Sequence, residues 1–169
     1  MPIATDLTAS EVLGIAIKSE IDAATVYDHL AKRIRNRALS EKITFLRKEE
    51  EQHRRLLEEM FARNFPGVKL LLPEKGLHPE MSIEVTRSMT VPELFELAME
   101  AEETSRDFYA DLAERSEDES GRATLRYLSN MESDHYYLLR TEYEMVTRFP
   151  GYYDADDFHV GMDLIHVGP

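Results

Sequence analysis

The sequence predicts an all-α protein, a four-helix bundle made of two repeated helical hairpins joined by a long crossover. Three observations predict it. Apolar residues recur at three- and four-residue spacing through four long segments. A Glu-x-x-His turn occurs twice, as Glu50-Glu51-Gln52-His53 and, 82 residues later, as Glu132-Ser133-Asp134-His135. Each half also ends on the same stop signal, Phe65-Pro66-Gly67 and Phe149-Pro150-Gly151, here 84 residues apart. With 43% hydrophobic and 31% charged residues, a chain of 169 residues can bury a core. We expect a single domain over 1–169, with a helical core over about 10–149 and a tail over 150–169.

The first helix is expected from about Ser10 to Arg37, behind Thr8 and Glu11 at capping-box spacing. Its inward stripe carries Leu13, Ile17, Glu20, Tyr27, Leu30 and Ile34, so Glu20 stands where a Leu is expected. A polar break over Asn36–Ser40 leads to a second helix, roughly Glu41–Asn64, whose seam of Ile43, Leu46, Leu57 and Met60 is interrupted by Glu50 and His53. Pro66 and Gly67 end it, the one unable to continue a helix and the other free to turn the chain. From there to about Met89, Pro73, Gly76 and Pro79 break any sustained period. A connection of that length suits a crossover running along a bundle.

Thr90-Val91-Pro92-Glu93 starts the third helix, which runs to about Ser116 with Phe95, Ala98, Glu102, Tyr109, Leu112 and Ala113 inward. After a break over Glu117–Gly121, the fourth carries Leu125, Leu128, Glu132, His135, Leu139 and Val146. The tail from Tyr152 is acidic and aromatic, suited to an extended arm, and nothing in its pattern explains His159 or His166.

The 82-residue shift that relates the two Glu-x-x-His turns also maps Glu20 onto Glu102 and Tyr27 onto Tyr109. Residues three apart share a helix face, so each Glu-x-x-His offers a carboxylate and an imidazole to one point. Side by side, the four helices bring Glu20, Glu50, His53, Glu102, Glu132 and His135 to one level. Four carboxylates in an apolar core would repel one another and lose hydration, at several kcal/mol each. Two divalent cations offset that cost, their charge balancing the four carboxylates. Oxygen-rich ligation with one imidazole per metal suits iron, with manganese the alternative, rather than a structural zinc. Tyr27 and Tyr109 are expected either as ordinary core residues or with hydroxyls on ligand carboxylates, where they would tune the site. Glu49, Glu51, Glu100 and Glu103 are read as solvated, Glu142 as a boundary residue, and His29 and His78 as lacking partners at ligand spacing.

The remaining composition narrows the function. With 33 acidic against 20 basic residues the net charge is −13, which argues against nucleic-acid binding. No apolar run reaches the roughly 20 residues that span a bilayer, and Met1–Ala9 lacks the pattern of a secretion signal, so no membrane partner and a cytoplasmic address are expected. The absence of cysteine excludes thiolate chemistry from these residues.

The ligand pattern resembles the ferritin-like superfamily and, within it, the rubrerythrin family. Glu20 with Tyr27, Glu50 with His53, Glu102 with Tyr109 and Glu132 with His135 match its di-iron motif over about residues 10–149. The resemblance implies a ferritin-like bundle, two iron ions held by four Glu and two His, and a homo-oligomer of two or more chains. It implies a non-haem di-iron oxidoreductase reducing hydrogen peroxide or oxygen. Rubrerythrins typically carry a further carboxylate three residues after the third-helix ligand, where this chain has Ser105, and often a Cys-rich rubredoxin domain. Electrons are therefore expected from a separate donor protein. Bacterioferritin is similar at the ligands but places a haem-binding Met where this chain has Glu51. The alternatives are a ferroxidase that handles iron and a metal-stabilised interaction module without turnover.

Overall fold

The structure, a computed structural model, describes residues 7–149. The C-terminal tail, with His159 and His166, lies outside the described residues. Four long helices, α1 (Ala9–Arg33), α2 (Arg37–Asn64), α4 (Val91–Arg115) and α5 (Glu119–Arg148), form the bundle, and α3 (Ile83–Thr86) is a single turn in the crossover. The architecture is the all-helical bundle that the repeats predict, and the ferritin-like one that the resemblance implies.

Local chemistry fixes the helix starts. Both predicted capping boxes form: the Thr8 hydroxyl accepts from the Glu11 N–H while the Glu11 carboxylate accepts from the Thr8 N–H, and Thr90 and Glu93 repeat the exchange ahead of Pro92. The other two starts differ from expectation. Asn36 accepts from the Leu39 N–H at 3.0 Å and Asp118 from the Gly121 N–H at 2.6 Å. Each acts as an N-cap within what the sequence suggested was a break. Helix α2 therefore begins at Arg37 rather than Glu41, α5 begins at Glu119, and α1 stops at Arg33. Helices α2 and α5 end at Phe65 and Phe149, as their stop signals require, and Gly67 takes a φ of 80° to turn the chain away.

Close backbone approach is concentrated within the α1–α2 and α4–α5 hairpins, which face each other with α1 beside α4 and α2 beside α5. Large side chains fill the space between them in two apolar clusters. One gathers Leu13 and Ile17 of α1, Leu57 and Phe61 of α2, Phe108 of α4 and Leu128 of α5. The other gathers Leu30, Ile43, Leu46, Phe95 and Leu139. Along every helix the two clusters are separated by the stretch that holds the predicted ligands. The crossover packs along α1: Arg33 donates to the Met89 carbonyl at 2.6 Å, and Met81 is buried beside Val26, Leu97 and Ala101. Among the described residues no helix is long and apolar enough to cross a membrane.

Candidate metal centre

Between the two apolar clusters lies a polar layer one helical turn deep. It holds Glu20, Glu50, His53, Glu102, Glu132 and His135, each no more than 3% exposed. The structure thus brings all six sequence-predicted residues together. In each Glu-x-x-His the imidazole folds back towards its own glutamate, as the three-residue helical spacing requires. His53 Nδ1 lies 3.0 Å from Glu50 Oε2, and His135 Nδ1 lies 3.4 Å from Glu132 Oε2. The contacts also cross between hairpins, with His53 Nδ1 at 3.2 Å from Glu132 Oε1 and His135 Nδ1 at 2.9 Å from Glu50 Oε1. Glu20 and Glu102 complete the ring, each 3.7 Å from the imidazole of its own hairpin. The two imidazoles stack with centroids 5.2 Å apart and planes 16° from parallel.

The tyrosines cross the bundle. Tyr27 donates to Glu102 Oε1 and Tyr109 to Glu20 Oε1, so each hydroxyl serves the lone glutamate of the opposite hairpin rather than the one seven residues before it. Both rings are fully buried. Each thus ties one lone carboxylate in place and uses one of its oxygens, leaving the other facing the centre.

Without a cation the layer sorts itself by charge. Burial, reinforced by the charges of Glu132 and Glu50, pushes Glu20 and Glu102 well above the usual carboxylate range. Burial opposes ionisation of Glu50 and Glu132 too, but the flanking imidazoles outweigh it and hold both below that range. The same carboxylates overcome the effect of burial on His53 and His135 and raise both imidazoles above their ordinary value. Burial, and then the facing glutamate, raises both tyrosine hydroxyls. These shifts favour negative charge on Glu50 and Glu132 and positive charge on His53 and His135, and disfavour charge on Glu20 and Glu102.

Protons do not satisfy this layer, however. Both nitrogens of His53 and His135, both oxygens of Glu50 and Oε1 of Glu132 are buried with no hydrogen-bond partner. A buried polar atom without a hydrogen bond costs about 1–3 kcal/mol, which the ion-pair contacts offset only in part. Glu50, His53, Glu132 and His135 each place a donor atom within 4.8 Å of the others, a grouping that can hold a metal ion. The orphaned atoms and the oxygen-rich donor set fit a metal, and Glu20 and Glu102 add carboxylates at its edge.

The residues read as bystanders mostly behave as such. Glu100 and Glu103 are exposed, Glu51 pairs with Arg47 at 2.5 Å, and Glu49 accepts from Gln52 at 2.6 Å. Glu142 is buried and receives the Lys42 ammonium from α2. His78 departs from expectation. It lines a cavity of about 20 Å³ on the α1/α4 side, together with Glu20, Glu50, Glu102 and Glu132. No spacing rule could have found it, because it reaches the site from the crossover. On the opposite side, a groove of about 600 Å³ between α2 and α5 includes His53, Leu56 and Tyr127 in its lining.

Comparison with known proteins agrees with this geometry. No curated protein matches the chain. A solved structure, a hypothetical protein from Pyrococcus furiosus, is similar at 38% identity, covering 85% of this chain and 93% of that one with a TM-score of 0.78. The family model described as rubrerythrin matches residues 11–143, a span that takes in all six clustered residues and both tyrosines. The chain belongs to the rubrerythrin family.

Proposed function

We propose that this chain is a non-haem di-iron oxidoreductase that reduces hydrogen peroxide, or oxygen, with electrons from a separate donor protein. The observation that carries the reading is the set of buried donor atoms without hydrogen-bond partners in a layer shared equally by two hairpins. Glu20, Glu50 and His53 from one hairpin, with Glu102, Glu132 and His135 from the other, would hold two iron ions, manganese being the alternative. Bound there, the iron pair would supply reversible one-electron steps towards peroxide or oxygen.

The chain's own residues prepare that chemistry. Glu50 and Glu132 sit between the two imidazoles, which supports a reading in which these carboxylates would hold both ions. His53 and His135 would surrender their protons on loading, as would Glu20 and Glu102, so uptake releases protons. Tyr27 and Tyr109 hold the outer carboxylates through one oxygen each and limit how far they swing. Leu30, Ile43, Leu57 and Leu128 close the layer from above and below with apolar packing. A homo-oligomer is part of this reading, on family grounds.

Stopped-flow absorbance tests it: full-length protein loaded anaerobically with ferrous iron is mixed in parallel with peroxide and with oxygen. Faster oxidation by peroxide is the expected result. Faster oxidation by oxygen would move the function to iron oxidation, and a large closed assembly in solution would then point to storage. A loaded site that neither oxidant changes would leave only a metal-stabilised interaction module.

A further inference from the structure

The cavity on the α1/α4 side is built by the helical repeat. Residues four apart lie on one face, so those just before and three after each lone glutamate flank it on the same side. On α1 these are Ser19 and Ala23; on α4 they are Ala101 and Ser105. All four line the cavity, and their small side chains leave its space open beside the four carboxylates. At about 20 Å³ it admits only a very small molecule.

The crossover roofs this cavity, and its position is fixed on both sides of His78. Upstream, the Leu77 N–H donates to Ser19 Oγ at 2.8 Å, and Gly76 lies so close to α1 that an added Cβ would sit 2.7 Å from Ser19 Oγ and 2.9 Å from Ser19 Cα. Downstream, Met81 is buried in an apolar cluster and its N–H donates to the His78 carbonyl at 3.0 Å. Between these anchors the His78 side chain is only 16% exposed, with Nδ1 buried, 3.5 Å from the Glu80 carboxylate and without a hydrogen bond. An imidazole is thus held at the edge of a cavity sized for one small ligand, its ring in the lining and its Nδ1 beside Glu80.

We infer that His78 is the positioning residue of this cavity, hydrogen-bonding a ligand of two or three heavy atoms, peroxide, oxygen or an anion of that size, and that the small residues around it exclude organic substrates. The inference rests on the metal centre proposed above and adds a residue from outside the bundle helices. An imidazole N–H donates to an oxygen or nitrogen of the ligand, and the Ser105 hydroxyl lies in the same lining.

Azide tests the inference as a stand-in for the oxidant. The iron-loaded, oxidised full chain is titrated with azide, its affinity read from the charge-transfer absorbance, and iron per chain is measured on every sample. His78→Leu should weaken azide about tenfold, the scale of one lost hydrogen bond, and His78→Gln should recover most of that. Ser105→Leu, which fills the cavity, should abolish azide binding with the iron retained. Wild-type affinity in His78→Leu overturns the inference, as does a wild-type protein that holds iron and binds no azide. Loss of iron from His78→Leu overturns it too, since His78 would then support the metal rather than the ligand. A wild-type chain that takes up no iron contradicts the metal centre itself, and the cavity's role with it.

Discussion

The α1–α2 and α4–α5 hairpins are nearly interchangeable at the polar layer and unlike each other away from it. Each supplies one lone glutamate, one Glu-x-x-His and one tyrosine that reaches across to the other. Yet Glu142 of the second hairpin is buried against Lys42, whereas the 82-residue shift puts Met60 and Thr124 at the matching positions. Ser19 holds the crossover, and its counterpart Ala101 has no hydroxyl with which to do so. The equivalence is confined to the donors, which is where a symmetric pair of cations would demand it. The Ser19 difference falls where a single crossover must choose a side, and the Glu142 difference on the α2/α5 side away from it.

The largest effect should come from the shared carboxylates. Glu50→Ala and Glu132→Ala should each abolish paired iron binding, because each carboxylate lies between both imidazoles. Metal analysis after anaerobic loading reads this directly. If one variant keeps two irons and the other none, the hairpins are not equivalent.

Next is the pH response, which should have opposite signs with and without metal. In the metal-free fold His53, His135, Glu20 and Glu102 have raised pKa values, so the native state keeps protons that the unfolded chain releases. Their stabilisation is complete below the unfolded values and drains away as pH rises, from near 4.5 for the glutamates and near 6.5 for the histidines. Glu50 and Glu132 are lowered, so they stabilise above about 4.5 and lose that contribution in acid. Thermal melts of metal-free protein should therefore fall between about pH 6 and 9. Iron-loaded protein should instead lose stability as acid displaces the metal. Parallel slopes for the two forms would contradict the charge arrangement.

A smaller effect is expected from the crossing tyrosines. Tyr27→Phe and Tyr109→Phe should each weaken iron binding roughly tenfold and by similar amounts, since each frees one lone glutamate. Unequal losses in an iron titration would show that the two metal positions differ. The smallest effect is structural. Ser19→Ala should cost about 1 kcal/mol in denaturant unfolding through the lost bond from Leu77, while Ala101→Ser should leave stability within about 0.5 kcal/mol.

That these six residues share one buried layer was legible in the sequence, because a charge at a seam position, repeated at a fixed shift, marks matching inward positions on the four helices. The helix ends at Phe65 and Phe149 were legible because Pro and Gly act locally. The starts of α2 and α5 were not, since Asn36 and Asp118 look like loop residues until their side chains meet Leu39 and Gly121. That the tyrosines reach across the bundle depends on how two hairpins face each other, which no single-helix period encodes. His78 was read only as lacking a partner at ligand spacing for the same reason: its setting is made by the crossover docking on α1, through Gly76 and Ser19, and not by its own neighbours in sequence.

The most direct measurement is a ferrous-iron binding isotherm of the full chain under anaerobic conditions. The six-residue layer predicts saturation at about two irons per chain, the pair that four carboxylates and two imidazoles balance. Saturation at one iron, or no uptake at all, would contradict a di-iron centre in this bundle.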